Sequence, residues 1–167
     1  MDDALRQFLN HIAPSAEIVH HRPVLTTNDV RTEKALEPYR NFETKWLVLT
    51  NKKKTWVLAG IGSDERADFS EIRDLVGLGR LSLESRKNLE TAQDCYDGAL
   101  GPLAFFRASA KPHIVISQFI ASLPRICVHP NANDETVVLS DKEFRSILKR
   151  CASKVSVLGV KSELWCD

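Results

Sequence analysis

A lysine inside a strand-like run is the first position that could take part in chemistry. Lys45 lies in the segment 44–49 (TKWLVL), whose other members are apolar or β-branched. Lysine is rarely buried without a partner, so this ammonium could meet a phosphate or a polarised oxygen. The alternative is a lysine on the solvent side of a half-exposed strand.

A loop bounded by glycine and proline is the second such place. Gly98 and Gly101 flank Ala99 and Leu100, and Pro102 follows. Two glycines and a proline allow a turn that is both tight and rigid. Without bulky side chains, such a loop can bring its backbone N–H groups close to a carbonyl or a developing oxyanion. The alternative is an ordinary tight turn before the apolar segment 103–106.

His129 is the third candidate, because it stands at the predicted end of a strand, just before Pro130 and Asn131. A histidine there can act as a hydrogen-bonding or acid–base group. It can equally belong only to the turn.

The cysteines, at positions 95, 127, 151 and 166, form no C-x-x-C pair. We therefore expect reduced structural thiols and no metal site. A catalytic thiol at Cys127 is the alternative.

Hydrophobic periodicity and capping residues predict the elements that hold these groups. An amphipathic helix is predicted at the start of the chain, a second from Asn28 toward Leu36, and another over 85–92. Alternating or β-branched runs predict strands at 17–20, 44–50, 55–61, 80–83, 113–117, 125–128, 135–139 and 155–160.

Two capping boxes predict further helices, one at Asp68 with Glu71 and one at Ser140 with Glu143. The second of these helices should turn Phe144, Ile147 and Leu148 inward. Its Lys142, Arg145 and Lys149 should face outward.

This mixture of elements indicates an α/β (α+β-like) fold with a central mixed β-sheet surrounded by helices. The length suits a single domain over 1–167. No G-x-G-x-x-G, G-x-x-x-x-G-K-[ST] or H-E-x-x-H motif occurs, so the sequence gives no reason to expect a nucleotide or zinc enzyme.

The charge balance is nearly neutral, at a formal +1, so any nucleic acid must bind to a local basic patch. The candidate patches are Lys52, Lys53 and Lys54 on a predicted hairpin turn, and Lys142, Arg145 and Lys149 on the last helix. Either patch could instead be a solvated face. The acidic N-terminus and the absence of a long apolar run predict a cytoplasmic protein that has no membrane partner.

The order of these motifs resembles the YbaK/ProX family of aminoacyl-tRNA editing domains over roughly residues 1 to 150. The strand with Lys45, the G-x-x-x-P loop from Gly98, the segment from His129 and the capped helix from Ser140 carry the resemblance. The stretch 17–21 and Thr26 also contribute. The loop that runs into Leu103-Ala104 is most similar to the branch that deacylates Ala-tRNA(Pro).

The resemblance implies hydrolysis of the ester between an amino acid and tRNA, without a cofactor or metal. It assigns the catalytic positions to Lys45, Gly98, Gly101, Pro102 and His129. The expected substrate contacts are Thr26, Trp46, Ala99, Leu100 and Asn131. Lys45 would neutralise the terminal phosphate, the loop would orient the carbonyl, and a water would attack. The partners implied are the acceptor end of proline tRNA and, further, prolyl-tRNA synthetase.

Two departures from that branch bear on the amino-acid pocket. Lys-Asn is common where this chain has Lys45-Trp46, and the usual His-Pro pair is here His21-Arg22-Pro23. Two alternatives therefore stay open: a tRNA-binding or synthetase-associated module without catalysis, and a deacylase for Cys- or Ser-charged tRNA.

Overall fold

The computed structural model of the chain describes residues 1–89 and 95–159. The helices are α1 (Asp3–Ile12), α2 (Thr27–Thr32), α3 (Phe69–Val76), α4 (Gln118–Ser122) and α5 (Asp141–Cys151). The strands are β1 (Glu17–His20), β2 (Thr44–Thr50), β3 (Trp56–Gly62), β4 (Ser82–Leu83), β5 (His113–Ile116), β6 (Arg125–Val128), β7 (Glu135–Ser140) and β8 (Lys154–Val157). Short 3-10 helices span Lys34–Phe42, Arg86–Asn88 and Pro102–Phe105.

A five-stranded mixed sheet forms the centre of the fold, in the order β4-β2-β3-β5-β8. The hairpin β2–β3 is antiparallel, whereas β3, β5 and β8 run parallel to one another. The predicted α/β class with a central mixed sheet is therefore confirmed.

A second, antiparallel sheet in the order β1-β7-β6 was not separated from the first by the sequence prediction. Strand β6 approaches the start of β2 through an isolated bridge between Cys127 and Glu43. This junction brings residues of the two sheets together where β2 begins.

The two faces of the mixed sheet are both buried. One face packs on α3 around Ile72, Leu49 and Val115. The other contributes Val48 and Leu58 to a larger core that also contains residues of α1, α5 and the second sheet. The burial of Phe144, Ile147 and Leu148 on the inner side of α5 confirms the predicted orientation of that helix.

The predicted boundaries of α2 were wrong. The helix is capped by Thr26 instead of Asn28, because the Thr26 hydroxyl accepts from the Asp29 N–H and the Asp29 carboxylate reciprocates. It ends at Thr32, where Glu33 is extended and caps the 3-10 helix that follows.

The boundaries of three further predicted elements can be compared with the structure. Asp68 caps α3, as the sequence predicted, and Gly77 ends that helix in the left-handed conformation with φ of 67°. The predicted helix over 85–92 is a 3-10 turn at Arg86–Asn88, and its residues 90–92 lie outside the described residues. The last strand covers Lys154–Val157, and position 160 of the predicted strand is likewise not described.

Candidate active site

A cavity of about 310 Å³ opens where the two sheets meet, beside the first residues of β2. Its wall combines the approach to α2, the 34–42 helix, the start of β2, the loop near residue 98 and the end of β6. The lining residues are Val24, Leu25, Thr26, Thr27, Val30, Leu36, Tyr39, Glu43, Thr44, Lys45, Trp46, Ser63, Asp97, Gly98, Leu100, Cys127, Val128, His129 and Thr136. Of the ten expected catalytic and substrate-contact positions, the cavity thus collects Thr26, Lys45, Trp46, Gly98, Leu100 and His129.

Lys45 is half-buried in this wall. Its place near the start of β2, opposite Ile61 of β3, lets the side chain reach the backbone that leaves the hairpin. There Nζ donates a hydrogen bond of 3.0 Å to the Ser63 carbonyl oxygen. A neutral carbonyl leaves the positive charge uncancelled, so the ammonium can still attract an anion or a polarised oxygen in the cavity.

Trp46 projects to the opposite face of β2 and forms an apolar part of the wall. Its indole Nε1 donates to the Thr44 hydroxyl at 3.0 Å, and its ring packs against Phe144. The ring lies over Gly60, its cross-strand partner, where an added Cβ would overlap it. Trp46 therefore shapes the cavity through a fixed ring rather than through a polar contact.

The loop at Gly98 approaches the chain before α2 at very short range. Gly98 has φ of 80°, and an added Cβ would lie 2.9 Å from the Leu25 carbonyl oxygen. The Ala99 N–H is used within the loop, donating to the Tyr96 carbonyl. Within the described ranges, the N–H groups of Gly98 and Leu100 have no acceptor. They are thus available as donors beside the cavity.

The four remaining expected positions do not line the cavity but pack behind the residues that do. Ala99 is fully buried, and Gly101 lies against the Trp46 indole. Pro102 is the first residue of the buried 3-10 helix Pro102–Phe105. Asn131 has φ of 61°, and its carbonyl accepts the Tyr96 N–H. None of these four lines the cavity, so their contacts support the loop instead of reaching a ligand directly.

His129 is held in one orientation by a backbone carbonyl. Its Nδ1 lies 2.9 Å from the Glu135 carbonyl oxygen. A carbonyl only accepts, so we assign the ring proton to Nδ1, which leaves Nε2 as an acceptor. Burial lowers the pKa of the His129 imidazole, as does the neighbouring His21, whereas the hydrogen bond to Glu135 acts in the opposite direction. The neutral ring is therefore favoured.

A small polar network links this histidine to the displaced His21. The Thr136 hydroxyl lies 2.9 Å from Nε2 of His21 and 3.4 Å from Nδ1 of His129. The His21 Nδ1 is 2.8 Å from the Arg22 carbonyl oxygen. His21 thus contributes to the site by orienting a neighbour of His129.

Cys127 is a poor candidate for a nucleophile. Its side chain is buried, and burial raises the pKa of the thiol to about 12, with the nearby Glu43 acting in the same direction. A thiol with this pKa is almost wholly protonated near neutral pH, and the thiolate is the reactive form. Cys95 and Cys151 are also buried, and neither forms a disulfide with another described cysteine.

Glu43 was missed by the sequence prediction. It lies just before β2, lines the cavity, and is only 9% exposed. Its position two residues before Lys45 was visible in the sequence, but nothing local to the sequence indicates that a glutamate there is buried.

The predicted basic patches lie apart from the cavity or are partly neutralised. Lys52 and Lys53 are exposed at the β2–β3 turn, at the far end of β2 from Lys45, which a strand of this length puts about 20 Å away. Lys54 forms an ion pair with Glu84 at 3.3 Å.

Of the three basic residues on α5, one is ion-paired and two are exposed. Arg145 pairs with Asp141 at 2.9 Å, whereas Lys142 and Lys149 are exposed.

In the part of the chain that the structure describes, no cluster of histidine, cysteine and carboxylate side chains could hold a metal ion. None of the helices there is long and apolar enough to cross a membrane.

Comparison with known proteins identifies the family. The model of the aminoacyl-tRNA editing domain matches residues 21–147, which include all the lining residues of the cavity. The prolyl-tRNA editing protein ProX of Acetoanaerobium sticklandii is 26% identical over 143 residues, which cover 84% of this chain and 86% of that protein.

Solved structures show the same fold. A candidate trans-editing enzyme for prolyl tRNA synthetase superposes with a TM-score of 0.70 at 15% identity, covering 95% of this chain and 98% of that one. A hypothetical protein gives a TM-score of 0.73 at 13% identity, covering 93% and 99%. The resemblance drawn from the sequence is thereby confirmed at the level of the family. The chain belongs to the aminoacyl-tRNA editing domain family and is a hydrolase of the deacylase class.

Proposed function

We propose that this chain acts in trans on mischarged proline tRNA and removes a small amino acid, most simply alanine. The proposal is supported by the similarity to a prolyl-tRNA editing protein, ProX. The observation that carries it is that one small cavity is lined by a cation, Lys45, and by Gly98 and Leu100, whose N–H groups have no acceptor among the described residues.

In this mechanism a water oxygen adds to the ester carbonyl carbon. The carbonyl oxygen becomes an oxyanion, which the N–H groups of Gly98 and Leu100 stabilise. The tetrahedral species then collapses, the bond to the ribose oxygen breaks, and that oxygen takes up the proton that the water loses. The neighbouring ribose hydroxyl assists this proton transfer. The amino acid and the tRNA with its free ribose hydroxyl are the products.

Lys45 neutralises the terminal phosphate and so fixes the ester relative to the loop. The neutral His129, with Nε2 as an acceptor, contacts the terminal adenosine. Supporting roles fall to Gly101, Pro102, Ala99 and Asn131, which hold the loop. Thr26 and Trp46 bound the amino-acid end of the cavity.

Selection against proline follows from size. An apolar pocket separates ligands that differ by one methylene by only about 1–3 kcal/mol, whereas a clash with a fixed wall can exclude a larger ring. The Trp46 ring is such a wall, because Phe144 and Gly60 leave it little room to move.

A deacylation panel with Ala-, Cys-, Ser- and Pro-charged proline tRNA tests the proposal. Rapid loss of alanine with retention of proline is the expected result. Preferential release of cysteine or serine would replace the substrate assignment, and tRNA binding without release of any amino acid would indicate a non-catalytic module.

A further inference from the structure

Glu43 is a buried carboxyl group that has no partner among the described residues. The residue is 9% exposed and lines the cavity, and its Oε1 is buried without a hydrogen bond to any described atom. Among the described residues, no hydrogen bond and no ion pair within 4.0 Å reaches either of its oxygens.

Other glutamates buried to the same degree do have partners. Glu33 is 7% exposed and forms an ion pair with Arg22 at 2.9 Å. Glu143 is 9% exposed and accepts from the Ser140 hydroxyl at 2.7 Å and from the Ser15 N–H at 2.9 Å. An unpaired buried carboxylate destabilises a fold, so the exception at Glu43 calls for a ligand.

The two arginines whose charges lower the pKa of Glu43 are each ion-paired with another carboxylate. Arg31 is ion-paired with Asp64, and Arg40 with Glu37 at 3.9 Å. Their longer-range attraction only partly offsets the effect of burial, which raises the pKa of Glu43 to about 7. The group therefore stands close to half-ionised near neutral pH, and a cation arriving in the cavity would convert it to the carboxylate.

We propose that Glu43 binds the α-ammonium group of the aminoacyl ester, an inference that rests on the proposed deacylase function. Such a substrate carries an anion at its terminal phosphate and a cation at the amino acid. Glu43 and Lys45 are two residues apart in an extended segment, so their side chains leave the same face of the chain about 7 Å apart. One would hold the cation and the other the anion of the same ligand.

The consequence is a pocket that recognises a free amine. An N-acylated amino acid, as in a peptidyl-tRNA, has no charge at that nitrogen and a single N–H. The Glu43 carboxyl group would then gain no cationic partner in the complex, so the pocket would bind N-acylated tRNA more weakly than aminoacyl-tRNA.

The test uses the whole chain and a non-hydrolysable ligand, a short RNA ending in 3′-alanylamino-3′-deoxyadenosine, and its N-acetyl counterpart. We expect wild type to bind the free amine about 10- to 100-fold more tightly than the N-acetyl form, the range of a hydrogen bond to a charged group. Glu43→Gln should lose that preference. The control Glu37→Gln, which removes an exposed carboxylate from the neighbouring 3-10 helix, should keep it.

An equal preference in wild type and Glu43→Gln would overturn the inference, because the discrimination would then be steric. The same pair of ligands can be made with serine in place of alanine. If Glu43→Gln lost the preference for the free amine only with the serine ligands, Glu43 would be assigned to the serine hydroxyl, and the inference would be overturned as well. Because binding is measured without hydrolysis, failure of the deacylase proposal appears separately, as a wild-type protein that prefers the free amine but releases no amino acid from tRNA.

Discussion

At the scale of single residues, the cavity is lined by two ionisable groups, Lys45 and Glu43, that differ in their hydrogen bonding to the protein. Lys45 is half-buried and held on the Ser63 carbonyl, which satisfies one donor without cancelling the charge. Glu43 is buried with no such contact. Substituting Lys45 should therefore mainly reduce activity, whereas substituting Glu43 should also change the pH dependence of the free energy of unfolding.

We expect Lys45→Ala to reduce kcat/KM for release of alanine from Ala-tRNA(Pro) by about 100-fold or more, because the cation that we propose to position the ester is lost. Lys45→Met, which keeps the length of the aliphatic chain, should be equally inactive. Single-turnover deacylation measures both, with Lys111→Ala as the control, an exposed lysine outside the cavity and outside both candidate basic patches. Near-normal turnover in Lys45→Ala would remove this residue from the mechanism.

Glu43→Gln should change the pH dependence of stability. The unfolded carboxyl titrates near 4.5 and the buried one has a pKa of about 7, so the native state binds more protons between these values. The loss of stability that Glu43 contributes as pH rises through this window is therefore present in wild type and absent in Glu43→Gln.

The free energy of unfolding of wild type relative to Glu43→Gln should fall by about 1–3 kcal/mol from pH 4.5 to pH 8. Urea denaturation across this range measures it. Glu37→Gln, which removes an exposed carboxylate, is measured in parallel as the control. A difference between wild type and Glu43→Gln that does not change with pH would mean that the Glu43 carboxyl is solvated in the native state.

At the scale of elements, the site depends on one loop that a backbone glycine brings against the chain before α2. Gly98 has φ of 80°, and a side chain there would meet the Leu25 carbonyl. The loop carries the N–H groups of Gly98 and Leu100, which have no acceptor among the described residues, so displacing it would move the proposed donors away from the ester carbonyl.

We expect Gly98→Ala to lose about 1–3 kcal/mol of stability and most deacylase activity, through backbone strain and the clash with Leu25. Gly77→Ala is the matched control. It shares a positive φ, of 67°, but has open space around it and lies at the end of α3. It should lose stability without loss of turnover per folded molecule, and the same result for Gly98→Ala would argue against a catalytic loop.

At the scale of the whole molecule, the cavity and the Lys52–Lys53 turn are separated by the length of β2. One buried core joins α1, β2, β6, β7 and α5, so the described residues share a continuous interior. That residues 1–167 together form one editing domain stays a prediction. The hairpin turn with Lys52 and Lys53 stands at the other end of β2 from the cavity. If the terminal nucleotides of tRNA occupy the cavity, as we propose, this turn can contact only nucleotides that lie further along the acceptor end.

The double substitution of Lys52 and Lys53 by alanine should raise the Kd for full-length tRNA by about 3-fold or more and reduce its salt dependence. Hydrolysis of a minimal substrate that ends at the terminal nucleotides should not change. The double substitution of Lys142 and Lys149 by alanine tests the second patch in the same way. Filter binding at several salt concentrations measures the Kd and its salt dependence for each variant and so shows which patch contacts tRNA. Unchanged Kd and salt slope in both variants would mark them as solvated faces.

The sequence by itself determined those elements whose causes are local. The capping box of Ser140 and Glu143, the inward side of α5 and the limits of β2 follow from spacing and side-chain chemistry within a few residues. The order of Lys45, the glycine loop and His129 along the chain also sufficed for the family.

Only the tertiary structure decided which of these residues share a cavity. The separation into two sheets depends on pairings between distant segments, such as β1 with β7, that no local pattern specifies. The same contacts move Ala99 and Asn131 behind the wall, bring His21 to His129 through Thr136, and bury Glu43 where β6 bridges to the start of β2. Burial and the loss of hydrogen-bond partners are properties of a packed environment, and that environment exists only once remote parts of the chain have come together.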